Sequence, residues 1–400
     1  MIKILAGASA VNFMGAAITY ALVVYLAKLG SDGAYANFLY SLTWALLLSS
    51  IVDFASEAVF VKYARHSNSL QKAFSVVLSL RIIGLSITVI VFAALNALFG
   101  IAGFKVVILM LPIFHLGAVF EYLNKNLMFV VILVLEKILL FTFLYIVTSN
   151  NGFTDAVYLC YFLANGVSLL WQFLFVRKHL GFIKKGLLRA LTEYAELYFT
   201  MFLVLQLNLV YGYYTRLIIE MRNGMEAFAS AAIALQIINV ASLFQSQVDR
   251  SFRTPIFKAI ENQSKLELVT VTKQYLMYTT IPIIFGCFIL YYGSGFVGGV
   301  LFPTGYNNLV SSLEILSVTP FSVNMMRLGE AFFTGMHKTK INMMITLIAV
   351  SVLVFVTLML LDEPAESYLI VLVAVQFFHG LVSVFIGLKR QTFLISKTVK

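Results

Sequence analysis

The chain has 400 residues, of which 61% are hydrophobic and only 12% charged, and its mean hydropathy is +0.93. Soluble domains run at roughly half apolar and a quarter charged, so a large water-soluble catalytic domain is excluded and a polytopic membrane protein is indicated. The net charge of +10 arises mainly from an asymmetry between alternate connections, which points to membrane topology and anionic lipid contact and not to nucleic-acid binding.

Cut at its charged clusters, the sequence falls into about twelve apolar stretches, each near the ~20 residues a helix needs to cross ~30 Å of hydrocarbon. In chain order these are 4–28, 35–60, 74–99, 106–124, 127–149, 154–176, 196–220, 226–249, 270–292, 309–334, 341–361 and 367–388. The first is read as a retained helix, not a signal peptide. Its apolar run through Tyr20 and Leu26 outlasts an h-region, and Ala8-Ser9-Ala10 comes too early for cleavage.

Ionisable residues inside these spans cost several kcal/mol in hydrocarbon unless paired or facing water, so they are the main functional signal. Lys28 closes the first helix at its outer end and is read as snorkelling to the interface. The second helix carries Asp53 and Glu57, four apart and therefore on one face, a pair that needs a nearby cation such as Arg81 or a bound proton. Arg81, in the third helix, lies roughly 13 Å beyond Lys72 at about 1.5 Å per residue, too deep for easy snorkelling. It is either a buried structural partner or a substrate-facing cation.

The fourth helix brings His115 and Glu121, and the fifth brings Glu136 next to Lys137, with the acid pointing elsewhere on the helix. The seventh has Arg216 and Glu220, four apart, and the tenth has Glu314, Arg327 and Glu330. The spacings of Arg216 with Glu220 and of Arg327 with Glu330 allow salt bridges along one helix face. Asp249 ends the eighth helix. His115 and His379 are deep, and lone histidines on apolar faces are read as satisfied core groups. Cys160 and Cys287 have no partner spacing, which gives neither a disulfide framework nor a metal site.

Nearly all basic residues of the connections fall on one side: Lys3; Lys62, Arg65 and Lys72; Lys125; Arg177 to Arg189; Arg250 to Lys273; Lys338 and Lys340; and Lys389 to Lys400. The positive-inside rule makes that side cytoplasmic and places both termini there. The longest basic connection, 177–195, divides the chain into two halves, 1–190 and 191–400. A faint echo supports the division: Gly33-Ala34-Tyr35-Ala36 opens helix two and Glu226-Ala227-Phe228-Ala229 opens helix eight, about 193 residues later. With six helices per half, the repeats share an orientation. The fold class expected is an all-α integral membrane protein of about twelve helices in two six-helix bundles.

No phosphate-binding loop ending in Lys-Ser/Thr is present, which argues against direct use of ATP, and no nucleophile triad stands out. The outward connections are short, the longest being 292–308, which leaves little room for a polymerase site. Fixed guanidinium and ammonium groups suit an anionic ligand.

Several stretches resemble the Wzx-type O-antigen and polysaccharide flippases of the multidrug/oligosaccharidyl-lipid/polysaccharide (MOP) superfamily. They are Leu29-Gly30-Ser31-Asp32-Gly33-Ala34-Tyr35-Ala36, Val52-Asp53-Phe54-Ala55, Ala227-Phe228-Ala229-Ser230-Ala231-Ala232 and Thr334-Gly335-Met336-His337-Lys338. Phe54-Ala55 stands where that family often has glycine. The resemblance implies a MATE-like pair of bundles around a central cavity, in the bacterial inner membrane. Its cargo would be an undecaprenyl-diphosphate-linked oligosaccharide, turned from the cytoplasmic to the outer leaflet. Lys28, Arg81, Lys137, Arg216 and Arg327 are then the candidates for the diphosphate. The acids Asp53, Glu57, Glu220 and Glu330 are candidates for H+ or Na+ coupling or for structural roles. No resident cofactor or metal is expected. A polysaccharide polymerase and a chain-length regulator are the implied protein partners, beside membrane lipids and without nucleic acid. The alternatives are an ion-coupled drug or metabolite antiporter of the same fold and a membrane polysaccharide polymerase.

Overall fold

The computed structural model describes residues 2–30, 33–53, 60, 64, 69–99, 103–123, 125–151, 155–181, 187–262, 264–302, 306, 308–336, 338–360 and 363–398, with side chains at most of these. The described residues form helices and connections throughout, as the apolar spans predict. The helices are α1 (Ile2–Leu29), α2 (Ala34–Asp53), α3 (Leu70–Phe99), α4 (Gly103–Leu109), α5 (Gly117–Tyr122), α6 (Asn126–Asn151), α7 (Ala156–Val176), α8 (Leu187–Leu209), α9 (Thr215–Glu261), α10 (Lys265–Phe296), α11 (Leu309–Leu316), α12 (Thr319–Gly335), α13 (Thr339–Met359) and α14 (Ala365–Thr398).

Among the described residues, ten stretches are long and apolar enough to cross a membrane, and Met14–Leu29 is a shorter apolar one. One of the ten, Tyr198–Asn239, is 42 residues long. It holds both the seventh and eighth predicted spans, because helix runs on through a sharp turn at Gly224 (φ 83°, ψ 179°). That backbone region is accessible essentially only to glycine.

Two of the predicted single helices are interrupted. The span 106–124 breaks after α4 into a short 3₁₀ turn, Leu111–Phe114, with Pro112 at its start. The main-chain N–H of Leu116, orphaned by the break, donates to Gln172 Oε1 at 2.7 Å. The span 309–334 breaks between α11 and α12, and Pro320 sits in the first turn of α12, where no N–H is needed. The start of α10 is set by Ser264, whose hydroxyl accepts from the Glu267 N–H at 3.3 Å.

The chain divides into two compact units, residues 29–206 and residues 1–28 with 207–400. In the first, α2 packs along α3 and α6 along α7. A Cβ on Gly84 of α3 would lie 2.5 Å from the carbonyl oxygens of Ile51 and Val52, so glycine there lets α2 and α3 approach closely. In the second unit, α12 packs most extensively against α14, and α9 against α10 and α12. Outward faces are apolar, as in Ile281, Phe285, Phe288 and Tyr292 of α10, which suits contact with lipid tails and not water.

The sequence echo has a structural counterpart inside each unit. Gly33 (φ 81°) precedes α2 and Gly224 (φ 83°) precedes the second limb of α9. The aromatic residues that follow, Tyr35 and Phe228, are both buried. The end of α5 and the end of α12 also close alike: Lys125 N–H donates to Phe120 O at 2.8 Å, and Lys338 N–H to Phe333 O at 2.8 Å.

Candidate functional site

The deep charges form three groups, described here unit by unit. In residues 29–206, Arg81 Nη2 donates to Asp53 Oδ1 at 3.2 Å. Arg81 is buried, and the tight α2–α3 approach at Gly84 brings Asp53 within its reach. The sequence expectation that the Asp53 carboxylate needs Arg81 is met; Glu57 lies outside the described residues.

Glu136 on α6 is 2% exposed. Its Oε1 accepts from Lys137 Nζ at 3.1 Å, and its Oε2 lies 3.2 Å from His115 Nε2 as an ion pair without a well-directed hydrogen bond. Sequence spacing put Glu136 and Lys137 on different bearings, and the structure corrects that. Neighbouring residues do not face each other, but the four-carbon lysine stem is long enough to curl back to a buried carboxylate. Next to this cluster is a cavity of about 20 Å³ lined by Arg81, His115, Phe60, Phe74, Val77 and Val119, room for roughly one water.

In the other unit, Arg327 Nη1 donates to Asp249 Oδ2 at 2.7 Å. The expected Arg327–Glu330 bridge along one helix is therefore replaced by a bridge between α12 and α9, which ties two helices instead of decorating one. The Tyr275 hydroxyl on α10 lies 2.6 Å from Asp249 Oδ1 and 2.8 Å from Asn324 Oδ1. Asn324 is fully buried and continues the chain to Gln245 and Thr279. Sequence reading noted Asp249 and Asn324 singly but could not join them, since spacing reveals only partners on one helix.

Arg216 is the exception. It is 5% exposed, and no carboxylate of the described residues lies within salt-bridge distance of it. The bridge to Glu220 predicted from spacing does not form. Helical side chains lean toward the N-terminus, and the Arg216 guanidinium lies instead over the Tyr213 ring, 5.2 Å from its centroid. Its Nε is buried with no hydrogen-bond partner, as is the neighbouring Thr215 hydroxyl oxygen. Just before it the helix widens into a π turn, Val210–Tyr214, a distortion frequent at functional sites. That turn is anchored on α14, where Tyr211 Oη and His379 Nδ1 share a hydrogen bond of 2.9 Å.

Magnitudes separate Arg216 from the rest. A cation–π contact supplies about 0.5–2 kcal/mol. Desolvating a lone charge costs several kcal/mol. The deficit is what an anion placed against the guanidinium would offset. Lys28, by contrast, is exposed, as its snorkelling reading requires.

No protein-family model matches the sequence, and no curated protein matches it. Solved structures do. The chain superposes on a point mutant of the MATE transporter VcmN of Vibrio cholerae with a TM-score of 0.71 and 13% identity over 97% of this chain and 96% of that one. A MOP superfamily transporter from Pyrococcus furiosus gives a TM-score of 0.70 at 14% identity over 97% and 95%. A multidrug resistance MATE family transporter of the MOP superfamily in its outward-facing conformation gives 0.70 at 14% over 99% and 96%. The chain thus has the all-helical fold of MATE and MOP superfamily transporters, a transporter architecture and not an enzyme's.

Proposed function

We propose that this protein is a flippase that carries a polyprenyl-diphosphate-linked oligosaccharide from the cytoplasmic to the outer leaflet of a bacterial inner membrane, by alternating access. The single observation that carries the reading is Arg216, a buried guanidinium without a counter-charge among the described residues. A diphosphate would supply that charge through bidentate contacts. The remaining basic candidates, Arg81, Lys137 and Arg327, already sit beside carboxylates, so Arg216 is the cation most in need of the cargo. The fold supports transport, and the resemblance of the motifs to Wzx-type flippases supports the lipid-linked cargo. Coupling to H+ or Na+ and co-operation with a polysaccharide polymerase and a chain-length regulator belong to the same proposal.

A second reading, a drug or metabolite antiporter, draws on the neighbour described as a multidrug resistance transporter. It differs in the sign of the cargo. A cationic drug would be repelled by Arg216. The Pyrococcus furiosus neighbour, whose binding pocket is described as of reverse polarity, suggesting a different function, illustrates that this fold tolerates such a change.

The test is a deletion strain in which an impermeant glycosidase is applied to spheroplasts. Lipid-linked repeats trapped inside, and exposed again when this chain is restored, support the flippase. Normal exposure together with reduced efflux of cationic dyes supports the antiporter, and accumulation of single repeats already outside supports a polymerase.

A further inference from the structure

The second unit contains a hydrogen-bond chain one proton short. Thr279 donates its hydroxyl proton to the main-chain oxygen of Tyr275 at 2.8 Å, so its oxygen can only accept from Asn324 Nδ2 at 3.2 Å. That fixes the Asn324 amide with its Oδ1 toward Gln245 Nε2, 3.0 Å away, and toward the Tyr275 hydroxyl, 2.8 Å away. Tyr275 has a single hydroxyl proton, yet Asp249 Oδ1 also lies 2.6 Å from its oxygen. When Asp249 is ionised, one of these two contacts is oxygen against oxygen with no hydrogen between. When Asp249 carries a proton on Oδ1, that proton goes to Tyr275 Oη, the Tyr275 proton goes to Asn324 Oδ1, and every member is satisfied.

The added proton has a second effect. It cancels the charge facing Arg327, whose Nη1 is 2.7 Å from Asp249 Oδ2 and whose side chain is 34% exposed. From the elements packed on this part of α9, the charged and titratable groups are Tyr275 and the exposed Lys273 on α10, Arg327 and the half-buried Glu330 on α12, and the exposed Lys389 on α14. Among the described residues only Tyr275 and Arg327 touch Asp249. The side chains of Arg250 and Arg253 lie outside the described set.

We infer that Asp249, Tyr275 and Arg327 form a proton-switched oxyanion site, in which uptake of one proton at Asp249 frees Arg327 to hold a phosphate-type anion. The inference rests on the anionic-cargo reading and extends it, because it makes anion binding in this unit rise as pH falls. Proton and anion bind together here and do not compete.

Sulfate, which does not titrate in this range, is the probe, measured by calorimetry on purified protein in a phospholipid-free maltoside detergent at about pH 8 and about pH 5.5. The expected result is wild-type affinity rising by about tenfold on acidification. Asp249→Asn, which mimics the protonated carboxyl and keeps its hydrogen bonds, should bind more tightly than wild type at the higher pH and lose the pH dependence. Arg327→Gln, with Arg327→Lys as a milder check on folding, should lose the pH-linked binding. That binding should persist in Arg216→Gln. Binding that is independent of pH and vanishes with Arg216→Gln overturns the inference while leaving the functional reading in place. No sulfate binding in any variant overturns both. A repeat in nanodiscs names the source of the anion: loss of the pH-linked signal in phosphatidylglycerol but not phosphatidylcholine assigns the site to a lipid headgroup, and retention in both assigns it to the cargo phosphate.

Discussion

In the unit of residues 29–206 the deep cations sit beside acids: Arg81 beside Asp53, and His115 and Lys137 on either side of Glu136. In the unit of residues 1–28 and 207–400, Arg327 is matched by Asp249, whereas Arg216, at comparable burial to Arg81, has only an aromatic ring. The contrast teaches how to weigh intramembrane charge. A paired ion is explained by its partner and says little about cargo, since burying a pair is close to neutral in energy. An unmatched buried cation has no such explanation and directs attention to what must come to it.

The comparison can be broken most forcefully at Glu136. Glu136→Leu would leave His115 and Lys137 without their acid and turn the first unit into a copy of the second unit's imbalance, at a cost of about 3–5 kcal/mol. Thermal unfolding in detergent should show a large drop, partly recovered by adding Lys137→Met; an unchanged melting curve would remove the argument that pairing stabilises this unit. A smaller loss, about 1–3 kcal/mol, is expected for Gly84→Ala, whose new methyl would meet the Ile51 and Val52 carbonyl oxygens and draw Arg81 away from Asp53. Its readout is the same melting curve.

Tyr213→Glu sharpens the contrast from the other side, giving Arg216 an acid one turn away. Thermal stability should hold or rise by up to about 1 kcal/mol while export of the oligosaccharide falls; stability and export moving down together would mean that Arg216 is merely a packing group. Lys28→Ala should have the smallest effect, within about 0.5 kcal/mol, because the side chain is exposed.

The helical membrane fold was legible in the sequence because hydrophobic length is a one-dimensional quantity, and even the repeat left a trace at Gly33 and Gly224. The charge pairs were legible only where physical necessity narrowed the choice, as for Asp53 and Arg81. The same-helix pairs Arg216–Glu220 and Arg327–Glu330 were favoured by spacing and did not form. Spacing cannot see that α9 carries Asp249 to Arg327, or that a π turn and Tyr213 hold Arg216. The relay through Tyr275, Asn324, Gln245 and Thr279 draws on three helices, and each residue alone looks like an ordinary polar group in a packed span.

The most direct measurement is translocation of a lipid-linked diphosphate oligosaccharide by purified protein in proteoliposomes, scored as the fraction reached by an external glycosidase. For Arg216→Gln the rate should fall by about 10-fold to 100-fold, the worth of a charge-assisted contact to phosphate, with Arg216→Lys retaining part of it. A rate for properly folded Arg216→Gln equal to wild type would contradict the assignment of this buried guanidinium to the cargo.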